Sequence, residues 1–163
     1  MLGHIRLQWW REALDGIYGG KPRQHAVVLA LHDAVARHDL SRDLMAEMID
    51  GRERDLDEAP PSTLDEVVSY ASATSGALVS LALAAIGHTG DGRKIGIAYA
   101  LTGLIRAIPF HAGQGRSFLP GLQGNAIVPE AMGVREQVQS LVEVAEFHRE
   151  RAIEDMRSLS RLA

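Results

Sequence analysis

Between Leu101 and Pro120 the sequence LTGLIRAIPFHAGQGRSFLP places two guanidinium groups, Arg106 and Arg116, on either side of one imidazole, His111. A guanidinium is a planar fork that can grip a diphosphate bidentately, or equally close a structural ion pair. Both readings stand for each arginine. His111 and the more distant His148 could offer nitrogen to a transition metal, but two histidines without a third ligand define no site, and a surface or core-edge imidazole is the simpler reading. A second polar run, MIDGRERDLD over 48–57, mixes carboxylates with guanidiniums. Taken by itself it is a solvated helix end, tied by i,i+4 pairs such as Asp50–Arg54. The chain has no cysteine, which excludes disulfides, thiolate catalysis and cysteine-based zinc sites. No nucleophile-elbow pattern frames a serine for a Ser-His-Asp triad.

Helices must position these groups, and their periodicity is legible. Ile5, Trp9, Leu14 and Ile17 recur at helical spacing and predict a first helix over 5–18, stopped by Gly19-Gly20 and Pro22. Trp9 and Trp10 are adjacent, so they point about 100° apart; one belongs to the core and the other to a neighbouring helix or partner. Val28, Leu31 and Val35 mark a second helix over 25–37. Ser41 is a good N-cap for a third over 42–55, carrying Leu44, Met45, Met48 and Ile49 on one side. After the rigid Ala59-Pro60-Pro61, Ser62 or Thr63 caps a long helix over 64–86, with Asp65 and Glu66 at its positive end. Its small residues Ala71, Ala73, Gly76 and Ala77 allow close helix approach, and Leu78, Leu81, Leu83 and Ile86 fill a core. A further helix over 93–108 leads to Pro109, where a kink or helix end is expected. The last helix, over 136–162, carries Val138, Leu141, Val142, Ala145, Ala152, Met156 and Leu159 as its apolar stripe.

Two blocks of this pattern resemble the squalene/phytoene synthase family, the head-to-head prenyl transferases of all-α isoprenoid-synthase fold. In 101–120, Leu101, Thr102, Arg106, Gly115, Arg116, Leu119 and Pro120 match the family's L-T-N-I-L-R-D-x-x-x-D…G-R-x-Y-L-P segment, with Phe118 in place of its tyrosine. In 48–87, Gly51, Asp55 and Leu56 match M-I-x-G-x-x-x-D-L, while Tyr70 and Gly76 match the next segment. LQWWREALDGIYGGKP resembles the stretch that follows the family's first Asp-rich motif, which would lie upstream of Met1. The resemblance implies an isoprenoid-synthase-like helical bundle, a single domain over 1–163 that is a fragment of a longer chain. It also implies a substrate or lipid cavity for Asp55, Tyr70, Arg106, His111 and Arg116. The departures fall where chemistry should be. Ala107 and His111 occupy the two acidic positions of the second Asp-rich motif, and Gly103 occupies the position of its asparagine. Carboxylates four apart on one helix face can hold Mg²⁺ against a diphosphate, because hard cations take oxygen ligands. Alanine offers no ligand, and imidazole suits softer metals.

One branch of the family fits better than the catalytic enzymes. I-R-L-Q-W-W, E-R-D-L-D and R-A-I-P-F-H…R-S-F-L-P resemble the bacterial relatives of the phytoene-synthase-type mitochondrial complex I assembly factor. The resemblance therefore implies a pseudoenzyme acting in complex I assembly, or binding a prenyl lipid or a protein partner, with no catalytic or metal residues and no cofactor. The alternative is an active Mg²⁺-dependent prenyl diphosphate transferase; a purely structural helical module is a third reading, favoured by a filled interior. The chain has 163 residues, 46% hydrophobic and 23% charged, and a net charge of −4, which gives no support for a nucleic-acid partner. No apolar run of about 18 residues is apparent, since the apolar part of the fourth helix spans only 77–86, so no transmembrane segment is expected. A cytoplasmic protein, or one peripheral to the inner membrane, follows. The spacing over 120–136 is tighter than the family's.

Overall fold

The computed structural model describes residues 1–124, 127 and 133–160. Among these there are helices and turns and no strand. The chain runs α1 (Leu2–Tyr18), α2 (Ala26–His38), α3 (Arg42–Gly51), α4 (Leu64–Ala71), α5 (Ala77–Ala85), α6 (Arg93–Gly113) and α7 (Val134–Ser160). A 3₁₀ segment, Arg52–Leu56, extends α3, and a π-helical segment, Ser72–Gly76, joins α4 to α5. The tight spacing noted over 120–136 falls largely outside the described residues, as do the side chains of Met156 and Leu159 and the end of the last helix at Leu162.

Local chemistry sets the helix ends. Gly20, at φ 70°, turns the chain after α1. The Ser41 hydroxyl accepts from the Leu44 N–H at 3.3 Å and starts α3. Thr63, rather than Ser62, caps α4: its hydroxyl accepts from the Glu66 N–H at 3.2 Å, and Glu66 reaches back to accept from the Ser62 N–H at 2.8 Å. Of the kink or helix end expected at Pro109, the helix end does not occur, and α6 continues to Gly113. The proline forfeits one backbone donor, but Leu101, Ile105 and Ile108, in the turns that precede it on the same helix, pack into the core.

The largest core cluster joins Val67 and Ala71 of α4, Ile97 and Leu101 of α6, Leu119, and Leu141 and Ala145 of α7. A second joins Leu14, Leu40, Met45 and Leu81, and a third Ala13, Ile17 and Val28. The helix expected over 64–86 is helical throughout, with a π turn at its centre. That turn lies where α6 crosses most closely: a Cβ placed on Gly96 would stand 2.3 Å from the Ser75 carbonyl oxygen. On the opposite side Gly51 approaches Ala73, whose Cβ would be 2.9 Å from a Cβ built on Gly51. The small residues at 71–77 thus serve the close packing that their size suggested. Thr74 donates from its hydroxyl to the Tyr70 carbonyl at 2.7 Å inside this turn, offering one of its carbonyls a side-chain partner.

Three expected core residues are not in the core. Ile5 is 61% exposed, because α1 meets the 3₁₀ segment through Gly3, which abuts Leu56, and Ile5 projects away from that contact. Ile86 is exposed where the chain leaves α5, and Leu78 turns toward a cavity. By length and composition Leu64–Ala85 and Arg93–Gly113 are each long and apolar enough to cross a membrane. The apolar count over 77–86 was therefore too short. Both helices contribute residues to the core clusters, but only 33% and 17% of their apolar windows are buried inside the bundle.

Candidate functional site

A cavity of about 700 Å³ opens between α1, α2, α3 and α5. Its wall is apolar, with Leu7, Trp10 and Leu14 from α1, Met45 and Ile49 from α3, and Leu81 from α5. These side chains share a face because each helix offers residues three or four apart, and α1 contributes Gly3, Arg6, Leu7, Trp10, Leu14 and Ile17 in that rhythm. Of the two tryptophans Trp10 lines the cavity, while Trp9 stacks edge-on against His25 with centroids 5.2 Å apart and carries the Arg23 guanidinium over its ring. Polar groups gather at one end, where Arg6, Arg52 and Asp55 border the space.

Asp55 is the hub of that end. Its carboxylate accepts from the Tyr70 hydroxyl at 2.8 Å and from Arg52 at 3.2 Å, and Arg52 also donates to the Tyr70 oxygen at 3.0 Å. Arg116 reaches the same residue from the loop after α6, donating to the Asp55 backbone carbonyl at 2.6 Å. Phe118 lies between Tyr70 and His111, with ring centroids 5.4 and 5.1 Å away. Burial, reinforced by the hydrogen bond to Asp55, pushes the Tyr70 hydroxyl up to about 12, so it remains a donor at any physiological pH.

His111 has its Nδ1 buried without a hydrogen-bond partner. Burial, and then the nearby Arg116 charge, hold its pKa below the ordinary 6.5, against a smaller opposing pull from Asp55. His148 on α7 has the same orphaned Nδ1 and a pKa lowered by burial and then by Lys94. Because the native imidazoles bind a proton less readily than unfolded ones, the stability they contribute is complete above the unfolded pKa and is lost as pH falls from there through the lower native pKa. The urea midpoint should therefore fall between pH 7 and pH 5, and His111→Leu should flatten that fall while His148 keeps the remainder. An unchanged slope in His111→Leu would show that His111 is not the titrating group.

The structure brings Asp55, Tyr70, His111 and Arg116 of the five expected site residues together, and sets Arg106 apart. Arg106 borders a separate groove of about 660 Å³ between α6 and α7, beside Tyr99 and Thr102. Of the five, Asp55 alone lines the 700 Å³ cavity. Sequence reasoning missed Arg6, Trp10 and Arg52 as bordering residues. Arg6 and Trp10 lie four apart on α1, and Arg52 lies three from Asp55, so helical spacing was the available signal. The expected Asp50–Arg54 pair does not form: α3 gives way to the 3₁₀ segment at Arg52 and loses the i,i+4 geometry. Asp50 instead accepts from Arg11 at 2.7 Å, and Arg54 donates to Asp57 at 2.7 Å and to the Ala59 carbonyl at 3.0 Å.

A magnesium ion does not fit these residues. It requires several oxygen ligands in near-octahedral array. Among the described residues no three His, Asp or Glu side chains gather as a metal-holding group. Asp55 already has one oxygen engaged by Tyr70 and the other by Arg52.

The whole chain, residues 1–163, matches the squalene/phytoene synthase family, and it belongs to that family. It is 33% identical over 124 residues to "NADH dehydrogenase (ubiquinone) complex I, assembly factor 6" of Bos taurus, covering 73% of this chain and 37% of that protein. The Homo sapiens protein of the same name is 31% identical over the same coverage. The phytoene synthase of Arthrospira platensis is 28% identical over 132 residues, covering 70% of this chain and 42% of that enzyme. The chain thus spans little more than a third of the length of the assembly factors it matches. The crystal structure of squalene synthase HpnC from Alicyclobacillus acidocaldarius superposes with a TM-score of 0.76 at 18% identity, over 87% of this chain and 59% of that one. That likeness establishes the isoprenoid-synthase-like helical fold.

Proposed function

We propose that this protein is a non-catalytic member of the squalene/phytoene synthase family that acts in assembly of respiratory complex I. In this reading its cavity holds a lipid, or receives an apolar group of a complex I subunit or assembly protein. The observation that carries the proposal is the state of Asp55: it is the carboxylate of the polar cluster, and both its oxygens are engaged by neighbouring side chains. Condensation of prenyl diphosphates requires carboxylates free to bind metal. Ala107 and His111, at the positions where the family resemblance expects acidic residues, support the same reading. So does the similarity to assembly factor 6. The 700 Å³ cavity speaks against a purely structural module, whose interior would be filled. The protein requires no cofactor in this role and works in the cytoplasm at the periphery of the inner membrane.

Two measurements test this. Deleting the gene in its source cell should lower assembled complex I on native gels by more than half, and the wild-type gene should restore it. The full-length protein, incubated with farnesyl or geranylgeranyl diphosphate and Mg²⁺, should yield no head-to-head condensation product. Mg²⁺-dependent product formation would overturn the non-catalytic reading in favour of a prenyl transferase.

A further inference from the structure

The charges at the cavity mouth do not balance. Arg52 is 3.2 Å from Asp55, so that pair contributes no net charge. Arg6 borders the same opening and, among the described residues, has no ion-pair or hydrogen-bond partner. Of the charged residues that line the cavity, Arg6 is therefore the one left uncompensated, while Arg116 stands outside the lining on the Asp55 carbonyl. We propose that the cavity takes a single-chain amphiphile whose head carries one negative charge, held by Arg6 without a divalent metal.

Three observations select this ligand class. The wall formed by Leu7, Trp10, Leu14, Met45 and Leu81 offers a flexible hydrocarbon chain apolar contact throughout, and each buried CH₂ should tighten binding about fourfold. The volume, about 700 Å³, lies within the range of small-ligand pockets. The lining residues supply net charge for one anion: a diphosphate seated among them would require further cations or a bound metal, and the described residues gather no metal-holding group. A fatty-acid carboxylate and the phosphodiester of a lysophospholipid share the required chemistry. Guanidinium recognises either, with two parallel N–H donors.

The inference rests on the reading of the cavity as a lipid site, and the test separates the two. The full-length protein would be titrated in EDTA with myristate, lysophosphatidylglycerol and uncharged tetradecanol, below their micelle concentrations, following tryptophan fluorescence and calorimetric heat. Binding of at least one of the two anions should be about tenfold tighter than that of the alcohol, and the preferred anion identifies the head. Arg6→Ala should weaken anion binding about tenfold and leave the alcohol unchanged, and Arg6→Lys should restore most of the loss. Arg6 is exposed and, among the described residues, unpartnered, so neither variant endangers the fold. Equal binding of anion and alcohol, or indifference to Arg6→Ala, would overturn the charge assignment while leaving a lipid cavity in place. A requirement for Mg²⁺ would also overturn it. Binding of none of the three would overturn both readings.

Discussion

Gly96→Leu should leave the protein largely unfolded at 25 °C, and Gly96→Ala should cost about 2 kcal/mol. At Gly96 a Cβ would lie 2.3 Å from the Ser75 carbonyl oxygen and 2.5 Å from the Gly76 Cα. Both obstacles are backbone atoms of the π segment, so no side-chain rotation relieves them. Helix propensity works the other way, since alanine in place of a mid-helix glycine is worth about 1 kcal/mol. The clash wins because it forces the backbones of the π segment and α6 apart at the centre of the bundle. Leucine adds more atoms to the same crossing, and a loss of about 5 kcal/mol would consume most of the stability of an ordinary domain. Gly103→Ala, one helix-third further on, is the control. A Cβ there meets nothing within 4 Å, so the propensity gain is unopposed and stability should rise by about 0.5–1 kcal/mol. Urea midpoints of the three variants give the answer, and a stable Gly96→Leu would refute the close crossing.

The helices themselves were legible because their signals are local. Ser41 and Thr63 announce their caps within three residues, and Gly19-Gly20 stops α1 without help from elsewhere in the chain. The family was legible because 48–87 and 101–120 keep the spacing of the matched residues. What escaped depends on how helices cross. The π turn at Ser72–Gly76 adds no distinctive periodicity, and it is Gly96, more than twenty residues away, that makes sense of it. Leu78 is as apolar as Leu81 and both border the cavity, but Leu81 is also packed into a core cluster while Leu78 is half exposed; only the placement of the neighbouring helices separates them.

The polar cluster divides the same way. Asp55 and Tyr70 were found through their motif positions, and they form a 2.8 Å hydrogen bond. Arg106 had an equally strong motif match, but α6 presents it to the α7 side. Arg116 reaches the cluster because the loop after α6 reverses at Gly115, φ 71°, and returns the chain toward the 3₁₀ segment. A helical residue is bound to its face, whereas a residue after a turn can be carried to a distant partner. His111, at the very end of α6, lies close enough to that turn to join the cluster through Phe118.

Leu101→Ala should cost about 3–4 kcal/mol, whereas Leu78→Ala should cost less than about 1 kcal/mol. Leu101 is fully buried in the cluster that α4, α6 and α7 build together. Truncation there removes transfer energy and leaves a void, because three helices cannot all close on the gap. Leu78 is 52% exposed at the cavity wall, so much of its surface already meets solvent and its loss merely widens an existing space. For a chain of this length 1 kcal/mol corresponds to about 2–4 °C in Tm. Thermal melts should therefore place Leu101→Ala roughly 10 °C below the parent and Leu78→Ala within a few degrees of it. Equal losses would mean that Leu78 is core and that the cavity closes in solution, which would remove the structural basis for a bound lipid. The two substitutions delete the same atoms, so the difference between them measures the environment alone.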